Sequence, residues 1–360
     1  MKTVLTILML VPIFPKLSET FILNQITGLI SRGHRVFIQA KIPGDITKMH
    51  STVAKYDLIN KTYYNTWPDM NSIDIVIAQT GMRGADFVAI KDVLGFKGKL
   101  VTFFRGVDVS RALCSHPKRY TNLFKKGDLF LSVCDFFRKR LVVHGCDLQK
   151  IVVHHSAIDC NLFSYKTKKL VSDESIRIIT VARFVEKKGI EYALQAFAQV
   201  VKKYPNVEYH LVGDGPLEDK YKKIIQQLDI EESVIFHGMC TQQQVYDLLD
   251  HSHFFVLPSV TGVAGDQEGI PNVLKEAMAC GLPVISTYHS GIPELVQHGV
   301  SGLLTKEKDS QALAEYMLYL VEHPECWPVM GAAGRQRVVE EFDKERVNDV
   351  LEQILYKLCC

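Results

Sequence analysis

Residues 258–294 read PSVTGVAGDQEGIPNVLKEAMACGLPVISTYHSGIPE, and this stretch decides how the chain folds. An apolar run ends at Leu257-Pro258 and opens into a polar loop that contains three glycines. Pro271 then stands in the first turn of a helix, where its missing N–H is tolerated. The helix ends near Cys280-Gly281, with glycine as a natural C-terminal cap, and a second apolar run follows. This order of strand, loop, helix and strand predicts one unit of a parallel sheet.

The same alternation of short apolar runs and helical segments extends along the chain, which is typical of parallel sheets covered on both faces. One helix is predicted from Lys188 to Tyr204, because its apolar residues follow helical spacing and Pro205 ends it. The predicted strands of the first half are Thr3–Val11, His34–Ala40, Ile73–Gln79, Lys99–Phe104, Asp128–Val133 and Ile151–His154. Those of the second half are Ile176–Ala182, Val207–Val212, Ser233–Gly238, His253–Pro258 and Pro283–Ser286.

These elements predict an α/β protein with two doubly wound Rossmann-like domains that face a central cleft. A length of 360 residues favours two domains over one. The polar stretch 165–175 (YKTKKLVSDES) lacks periodicity and is the expected linker. We expect an N-terminal domain over 1–165, a C-terminal domain over 176–342, and a last helical segment over 343–360 that packs back on the N-terminal domain. In such sheets ligands bind beyond the carboxyl ends of the strands.

The composition is that of a soluble globular protein, but its charge is unevenly distributed. Hydrophobic residues make up 47% and charged residues 23% of the chain. Through residue 165 there are 22 Lys and Arg against 12 Asp and Glu, and beyond it 20 against 28. This asymmetry indicates either contact with an anionic surface or substrate, or a dipolar surface without function. Nine cysteines without C-x-x-C spacing, and no apolar stretch of about 20 residues, favour a cytoplasmic protein that is at most peripheral to a membrane.

Two glutamates flank the predicted start of the helix in the opening stretch. Glu268 precedes the helix, and Glu276 lies more than one turn inside it. The free N–H groups around Gly269–Asn272 predict an anion site at the N-terminus of this helix. Carboxylates beside such a site suit the recognition of hydroxyl groups, because they accept hydrogen bonds strongly. An isolated pair of this kind would more often be a loop charge and an ordinary helical surface residue.

The wider sequence resembles a known family. Glu268 and Glu276, with seven residues between them in EGIPNVLKEAMACGLPVIST, resemble the E-x7-E signature of retaining glycosyltransferases of the GT-B fold, family four. The N-terminal segment FPKLSETFILNQITGLISRGHRV is similar to bacterial exopolysaccharide transferases, notably those of colanic-acid-type assembly. Three further segments resemble the family in order along the chain: VARFVEKKGIEYALQAF (181–197), VGDGP (212–216) and HSGIPELVQHGVSGLL (289–304).

The resemblance implies a site for a nucleoside-diphosphate sugar, with a UDP-sugar as the expected donor. Arg183 and Lys188 would hold the diphosphate and neutralise the charge that develops on it as a leaving group. Gly213 and Gly215 belong to the glycine turn that follows the next strand. No D-x-D triad stands beside an acidic pocket, so we expect metal independence and no cofactor.

The resemblance also implies roles for the opening stretch itself. Glu276 would contact the ribose hydroxyls, and Glu268 would contact the donor sugar. The backbone at Gly269, Ile270, Pro271 and Asn272 would hold phosphate and sugar.

The acceptor side is expected near TFFRGVDVS (102–110), which resembles a strand-end segment of the family. Arg105 stands where the family often has histidine before glycine. Arginine stays protonated, so a role as general base is doubtful, whereas binding of an acceptor phosphate or of the departing diphosphate is compatible with it. Asp108 matches its family position, and either orients a hydroxyl group or caps the next helix.

These inferences predict a retaining, hexosyl-type glycosyltransferase that moves a sugar from a nucleoside-diphosphate sugar to a polyprenyl-linked or other oligosaccharide acceptor in surface polysaccharide biosynthesis. The first alternative is a nucleotide-sugar epimerase or hydrolase of the same fold. An oxidoreductase is disfavoured, because Gly213 and Gly215 supply only G-x-G of the dinucleotide fingerprint. A non-catalytic sugar-binding scaffold is the remaining option.

Basic clusters on predicted helices of the first domain suggest where a membrane could be met. Lys118-Arg119, Lys125-Lys126 and Arg138–Arg140 would face anionic lipid headgroups, or form a solvated basic face. We therefore expect a location in the cytoplasm or on the inner face of the cytoplasmic membrane, and no nucleic acid among the partners.

Overall fold

A computed structural model describes residues 4–17, 19–171 and 174–359. The chain forms two compact units, the first made of residues 1–158 and 344–360 and the second of residues 159–343. The described part of the stretch 165–175 belongs to the second unit. There the backbone N–H of Lys166 donates to Cys280 O at 3.3 Å, and Lys168 Nζ donates to Asp250 O at 2.6 Å.

The first unit is built on a parallel sheet with the order β3-β2-β1-β4-β5-β6-β7. Its interior strand β1 lies between β2 and β4, and the residues of β1 from Thr6 to Val11 are buried. The strands are β1 (Thr6–Phe14), β2 (Arg35–Pro43), β3 (Thr62–Tyr64), β4 (Ile75–Ala78), β5 (Lys99–Phe104), β6 (Leu129–Ser132) and β7 (Ile151–Val153). The helices between them are α1 (Thr20–Ser31), α2 (Ser51–Lys55), α3 (Gly81–Ile90), α4 (Arg111–Ser115), α5 (Thr121–Lys126) and α6 (Asp135–Val143).

The second unit repeats this plan with the strand order β10-β9-β8-β11-β12-β13, again parallel. The strands are β8 (Ile176–Val181), β9 (Val207–Val212), β10 (Val234–Gly238), β11 (Phe254–Val256), β12 (Val284–Thr287) and β13 (Gly302–Thr305). The helices are α7 (Ile190–Lys203), α8 (Glu218–Leu228), α9 (Gln242–Asp250), α10 (Asn272–Ala279), α11 (Ile292–Leu295), α12 (Ser310–Glu322) and α13 (Trp327–Glu341). The predicted α/β class with two doubly wound parallel sheets is confirmed.

The last helix, α14 (Lys344–Cys359), belongs to the first unit and packs against α1. Leu351 and Leu355 are fully buried in the same apolar cluster as the residues of β1 and α1. Asn348 Nδ2 donates to the backbone oxygen of Asn24 at 3.0 Å. A Cβ atom on Gly28 would lie 2.1 Å from this amide nitrogen, so the two helices meet where a side chain is absent.

The strand predictions differ from the structure mainly at strand ends. The first strand runs from Thr6 to Phe14 rather than from Thr3 to Val11, and Thr3 lies outside the described residues. Pro12 does not end the strand, because beyond Leu10 it pairs with β2 alone and such an edge tolerates proline. The short strands β3 and β13 were not predicted.

Two further findings concern the described part of the chain. Its cysteines are free thiols. No helix within it is long and apolar enough to cross a bilayer.

Candidate active site

Glu268 lies in the loop between β11 and α10, on the side of the sheet where β11 ends. Its Oε1 is 3.0 Å from Lys188 Nζ and 3.4 Å from Lys187 Nζ. Burial alone would raise the pKa of Glu268, but Lys188 and Lys187 outweigh it and lower the pKa to about 2. Glu268 is therefore ionised at neutral pH, although its side chain is only 14% exposed.

Two adjacent lysines, rather than one, meet this carboxylate. Both stand in the 3-10 helix Glu186–Lys188, which follows β8. Lys187 also lies 3.1 Å from the carboxylate of Asp266 in the same loop as Glu268. Lys188 was predicted from the resemblance to the family, which does not mark Lys187, and in this 3-10 turn both adjacent lysines reach the carboxylate.

A buried histidine fixes the backbone at Glu268. His289 is fully buried, and its Nε2 accepts the backbone N–H of Glu268 at 3.0 Å. Its Nδ1 lies 2.6 Å from Glu307 Oε1. Since a backbone N–H can only donate, Nε2 is unprotonated and Nδ1 carries the hydrogen that it donates to Glu307. The two partners thereby select the neutral Nδ1–H form of the imidazole.

Glu307, which follows β13, connects two parts of this loop: it binds Thr261 directly and Glu268 through His289. Its carboxylate accepts the backbone N–H of Thr261 at 2.8 Å and the Thr261 hydroxyl at 3.2 Å. Burial opposes the charge, but the bonds from Thr261 and His289 prevail and lower the pKa of Glu307. Neither His289 nor Glu307 was predicted as a site residue. His289 falls in a segment that resembles the family, whereas no sequence pattern marks Glu307.

Glu276 has the opposite electrostatic character. It lies on α10, where burial raises its pKa to about 7 and the attraction of Lys275 offsets this only in part. Lys275 itself is buried and donates to Asn272 Oδ1 at 3.0 Å. The glutamate pair therefore combines an ionised carboxylate at Glu268 with a carboxyl group at Glu276 that titrates near neutral pH. Hydroxyl groups suit Glu276, because they can donate to the carboxylate and accept from the acid.

The predicted glycine turn lies against the segment that carries Arg183. Gly213 and Gly215 have φ values of 122° and 152°, which disfavour any side chain. A Cβ atom added at Gly213 would lie 2.0 Å from Ala182 O, and a Cβ atom added at Gly215 would lie 2.6 Å from Phe184 O. The two glycines thus allow the turn to approach residues 182–184, and Arg183 between them is exposed.

Arg105 lies in the first unit, after β5, and its guanidinium is enclosed by polar and aromatic groups. It donates to Gln79 Oε1 at 2.6 Å, to Ser156 Oγ at 3.0 Å and to Gln25 Oε1 at 3.1 Å. The rings of Phe103 and Phe21 lie 4.2 and 4.6 Å from its central carbon. Burial lowers the pKa of Arg105 to about 9, so the group remains a cation at neutral pH.

Asp108 organises the loop that carries Arg105. Its carboxylate accepts the backbone N–H groups of Arg105 at 3.0 Å, Gly106 at 2.8 Å and Gly81 at 2.9 Å. Gly81 is the first residue of α3, so the capping interaction is with a helix that precedes Asp108 in the chain rather than with the next helix.

Comparison with known proteins bears on this site directly. The family model of group 1 glycosyl transferases matches residues 164–337. The chain is 34% identical to the amylovoran biosynthesis glycosyltransferase AmsK of Erwinia amylovora, over 96% of this chain and 98% of AmsK. It is also 34% identical to WcaL of Escherichia coli K12, a protein assigned to colanic acid biosynthesis, with the same coverage of both chains. The chain belongs to the group 1 glycosyltransferases.

A solved structure shows the fold of this glycosyltransferase independently. Alr3699/HepE of Anabaena, crystallised in complex with UDP, has a TM-score of 0.80 at 18% identity, covering 98% of this chain and 100% of that chain. The predicted GT-B fold and the predicted family are confirmed. The segment 164–337 that matches the family contains the Glu268 loop, Glu276, Arg183 and the two lysines, whereas Arg105 and Asp108 lie outside it.

Proposed function

We propose that this glycosyltransferase moves a hexosyl group, with retention of configuration, from a UDP-sugar to a lipid-linked oligosaccharide of a surface polysaccharide. The observation that carries the proposal is the ionised Glu268, which is buried between Lys187 and Lys188 in the loop before α10. The site brings together a carboxylate that accepts hydrogen bonds, two cations and the N-terminus of a helix. This combination suits a ligand that has both hydroxyl groups and phosphates.

Names of similar proteins support the substrate classes. AmsK is named for amylovoran biosynthesis and WcaL is assigned to colanic acid biosynthesis, which supports a role in exopolysaccharide assembly. The UDP complex of Alr3699/HepE supports UDP as the nucleotide.

In the proposed reaction the diphosphate leaves from the face of the sugar at which the acceptor arrives. Lys188 and Arg183 neutralise the charge that develops on the leaving phosphate, as preorganised cations do in a partly buried site. The carboxylate of Glu268 accepts a hydrogen bond from a hydroxyl group of the donor sugar, and that of Glu276 accepts hydrogen bonds from the ribose hydroxyl groups. The backbone at Gly269–Asn272 holds phosphate and sugar. We propose that no metal is needed, because Lys188 and Arg183 supply the positive charge that a bound cation would otherwise bring to the diphosphate.

Arg105 and Asp108 belong to the acceptor side of the proposal. Arg105 makes its hydrogen bonds to neutral oxygens, so its charge is available to an anionic group such as an acceptor phosphate. Asp108 positions Arg105 through the loop backbone and does not need to contact the acceptor.

We also propose contact with anionic lipid through the first unit. Lys126 is paired with Asp92 at 3.2 Å, and Lys139 with Asp135 at 2.8 Å, so these two clusters are partly neutralised. The third cluster, Lys118-Arg119, is exposed beside an open apolar depression that also includes Pro117. Cations next to apolar surface suit the headgroup region of a membrane that holds a polyprenyl-linked acceptor.

The proposal is tested first by donor binding. A thermal-shift screen with UDP-, GDP- and ADP-sugars should show stabilisation by a UDP-sugar, because a ligand that binds the folded state raises its melting temperature by mass action. Glu268→Gln should reduce the shift. If no nucleotide sugar raises the melting temperature, the donor site is refuted.

Turnover and stereochemistry come second. With the donor identified, transfer to a polyprenyl-linked oligosaccharide should give a product whose anomeric configuration, measured by NMR, equals that of the donor, and EDTA should leave the rate unchanged. Hydrolysis or epimerisation of the donor with every acceptor offered would instead favour a hydrolase or epimerase.

A further inference from the structure

A cavity lies within the first unit, and Arg105 is not among the residues that line it. It has a volume of about 360 Å³. Its walls come from the last residues of β2, from the segment that follows β3, and from α3. The volume falls in the range of small-molecule sites, about 300–1,000 Å³. The cavity is therefore large enough for one sugar residue.

A buried cation lines this cavity. Arg83 on α3 is only 5% exposed, and its guanidinium donates to Gln39 Oε1 at the other side of the cavity wall. Its Nε has no hydrogen-bond partner among the described residues. Burial lowers the pKa of Arg83, and Asp86 at 3.7 Å offsets this only in part. A buried cation with an unsatisfied donor is costly, so the arrangement favours an additional anionic group.

The charge around Arg83 is not balanced. Lys41 Nζ, at the end of β2, lies 2.6 Å from Asp86 Oδ2, which is the same carboxylate that faces Arg83. Two cations therefore share one carboxylate, and one positive charge remains at the cavity. A bound anion would complete this group.

An aromatic pair also lines the cavity. Trp67 is half-buried and lines the cavity together with Phe87, with their ring centroids 5.7 Å apart. An indole ring offers a rigid apolar surface with a polar edge. The C–H face of a pyranose ring packs on such a surface, while its hydroxyl groups remain available to amide side chains such as Gln39 and Asn65.

We propose that this cavity binds one anionic sugar residue, a pyranose that carries a carboxylate or a phosphate, with its ring on Trp67 and its charge toward Arg83 and Lys41. That this sugar is part of the acceptor chain rests on the proposed function. The binding itself does not, so the two can fail separately.

The test uses tryptophan fluorescence of the full-length protein. The chain has two tryptophans, and Trp327 in the second unit is fully buried, so a ligand in the cavity is reported by Trp67. Glucuronate, glucose 6-phosphate, glucose and inorganic phosphate are titrated separately. We expect a saturable change with glucuronate or with glucose 6-phosphate, binding of glucose weaker by about tenfold or more, and no change with phosphate alone. Which of the two anionic sugars binds more tightly distinguishes a carboxylate from a phosphate.

Three variants decide the assignment. Trp67→Phe should abolish the fluorescence change. Lys41→Gln, at an exposed position, should weaken binding of the anionic sugar several-fold, and Asp86→Asn should strengthen it. The proposal is overturned if neither anionic sugar gives a saturable change, if the change persists in Trp67→Phe, if phosphate alone reproduces it, or if Lys41→Gln and Asp86→Asn bind with the same affinity. Arg83→Gln is less informative, because it removes a buried group that contributes to folding.

Discussion

His289 Nε2 accepts the backbone N–H of Glu268 at 3.0 Å, so an uncharged imidazole holds the chain at the residue whose carboxylate meets Lys188. The imidazole is held in turn by Glu307 at 2.6 Å. The carboxylate of Glu268 is thus oriented through its backbone from one side and through ion pairs from the other. Second-layer hydrogen bonds of this kind keep a functional group in a productive geometry before the ligand arrives.

Loss of the hydrogen-bond acceptor Nε2 at His289 should affect the transferase activity more than it affects the melting temperature. Asparagine can replace Nδ1 as the donor to Glu307 but has no group at the position of Nε2, whereas glutamine can place its amide oxygen near that position. We therefore expect His289→Asn to lower kcat by about 10–100-fold, and His289→Gln to retain several-fold more activity. Steady-state kinetics and melting temperatures of both variants check this. Equal activities of the two variants would indicate that the imidazole only fills space.

Glu276 should make stability depend on pH with a definite sign. Its pKa is about 7 in the folded protein against an ordinary value of 4.5, so the folded state binds the proton more tightly than the unfolded chain. The free energy of unfolding therefore falls as the pH rises from about 4.5 to about 7. Glu276→Gln does not titrate and should be more stable than the natural protein at pH 8, by at most about 3 kcal/mol, with little difference at pH 4.5.

Urea unfolding at the two pH values measures this, and Glu268→Gln is the matched control. The pKa of Glu268 is lowered to about 2, so its ionised form stabilises the fold above pH 4.5 and this contribution is lost as the pH falls toward 2. Glu268→Gln should accordingly be less stable than the natural protein at pH 8. The same sign of change in both variants would contradict the assigned electrostatics.

The two lysines should separate into a functional and a supporting residue. Lys188 contacts Glu268 alone among the ion pairs described, whereas Lys187 joins Glu268 to Asp266 across the loop. We expect Lys188→Met to lower kcat/KM about 100-fold or more, as the removal of one charge-stabilising group does. Lys187→Met should mainly lower the melting temperature, by about 2–4 °C for each kcal/mol lost. Steady-state kinetics and calorimetry on both variants measure these effects. A large loss of kcat/KM in Lys187→Met, with mainly a lower melting temperature in Lys188→Met, would contradict the prediction.

The docking of α14 predicts a contrast between adjacent residues. Leu351 is fully buried against the first unit, whereas Val350 is 47% exposed. Leu351→Ala should cost about 2–5 kcal/mol of unfolding free energy, because it leaves a cavity in a packed core. Val350→Ala should change it by no more than about 0.5 kcal/mol. Similar losses in both variants would mean that α14 is not packed on this face.

Most of the fold could be predicted because parallel strands are buried on both faces and appear as continuous apolar runs. Lys99–Phe104 and Val207–Val212 coincide with β5 and β9. The edge strand β3 has only half-buried residues and lacks the continuous apolar run of an interior strand. The edge strand β13 has only two apolar side chains, between Gly302 and Thr305. Helix α7 begins at Ile190 rather than at Lys188, because Gly189 has a φ of 66° and separates it from the preceding 3-10 turn.

The site could be predicted where its residues form a local pattern or fall in a segment that resembles the family. Glu268, Glu276 and the helix start between them form a local pattern. The partners of Glu268 come from two other segments, the turn with Lys187 and Lys188 and the segment with His289, and Glu307 acts on it only through His289. Similarly, the groups that enclose Arg105 lie 26, 51 and 80 residues away, so its buried hydrogen bonds could not be inferred from the strand-end segment alone.

The membership of α14 in the first unit has a consequence for how the protein is made. Ile158 O accepts the backbone N–H of Lys344 at 2.9 Å, so the chain leaves the first unit and re-enters it at neighbouring residues, and the 185 residues from 159 to 343 are an insertion. During synthesis all of residues 159–343 are made before the helix that covers α1. The first unit is therefore completed after the second, and Ile158 and Lys344 mark where a direct peptide junction would let it be produced without residues 159–343.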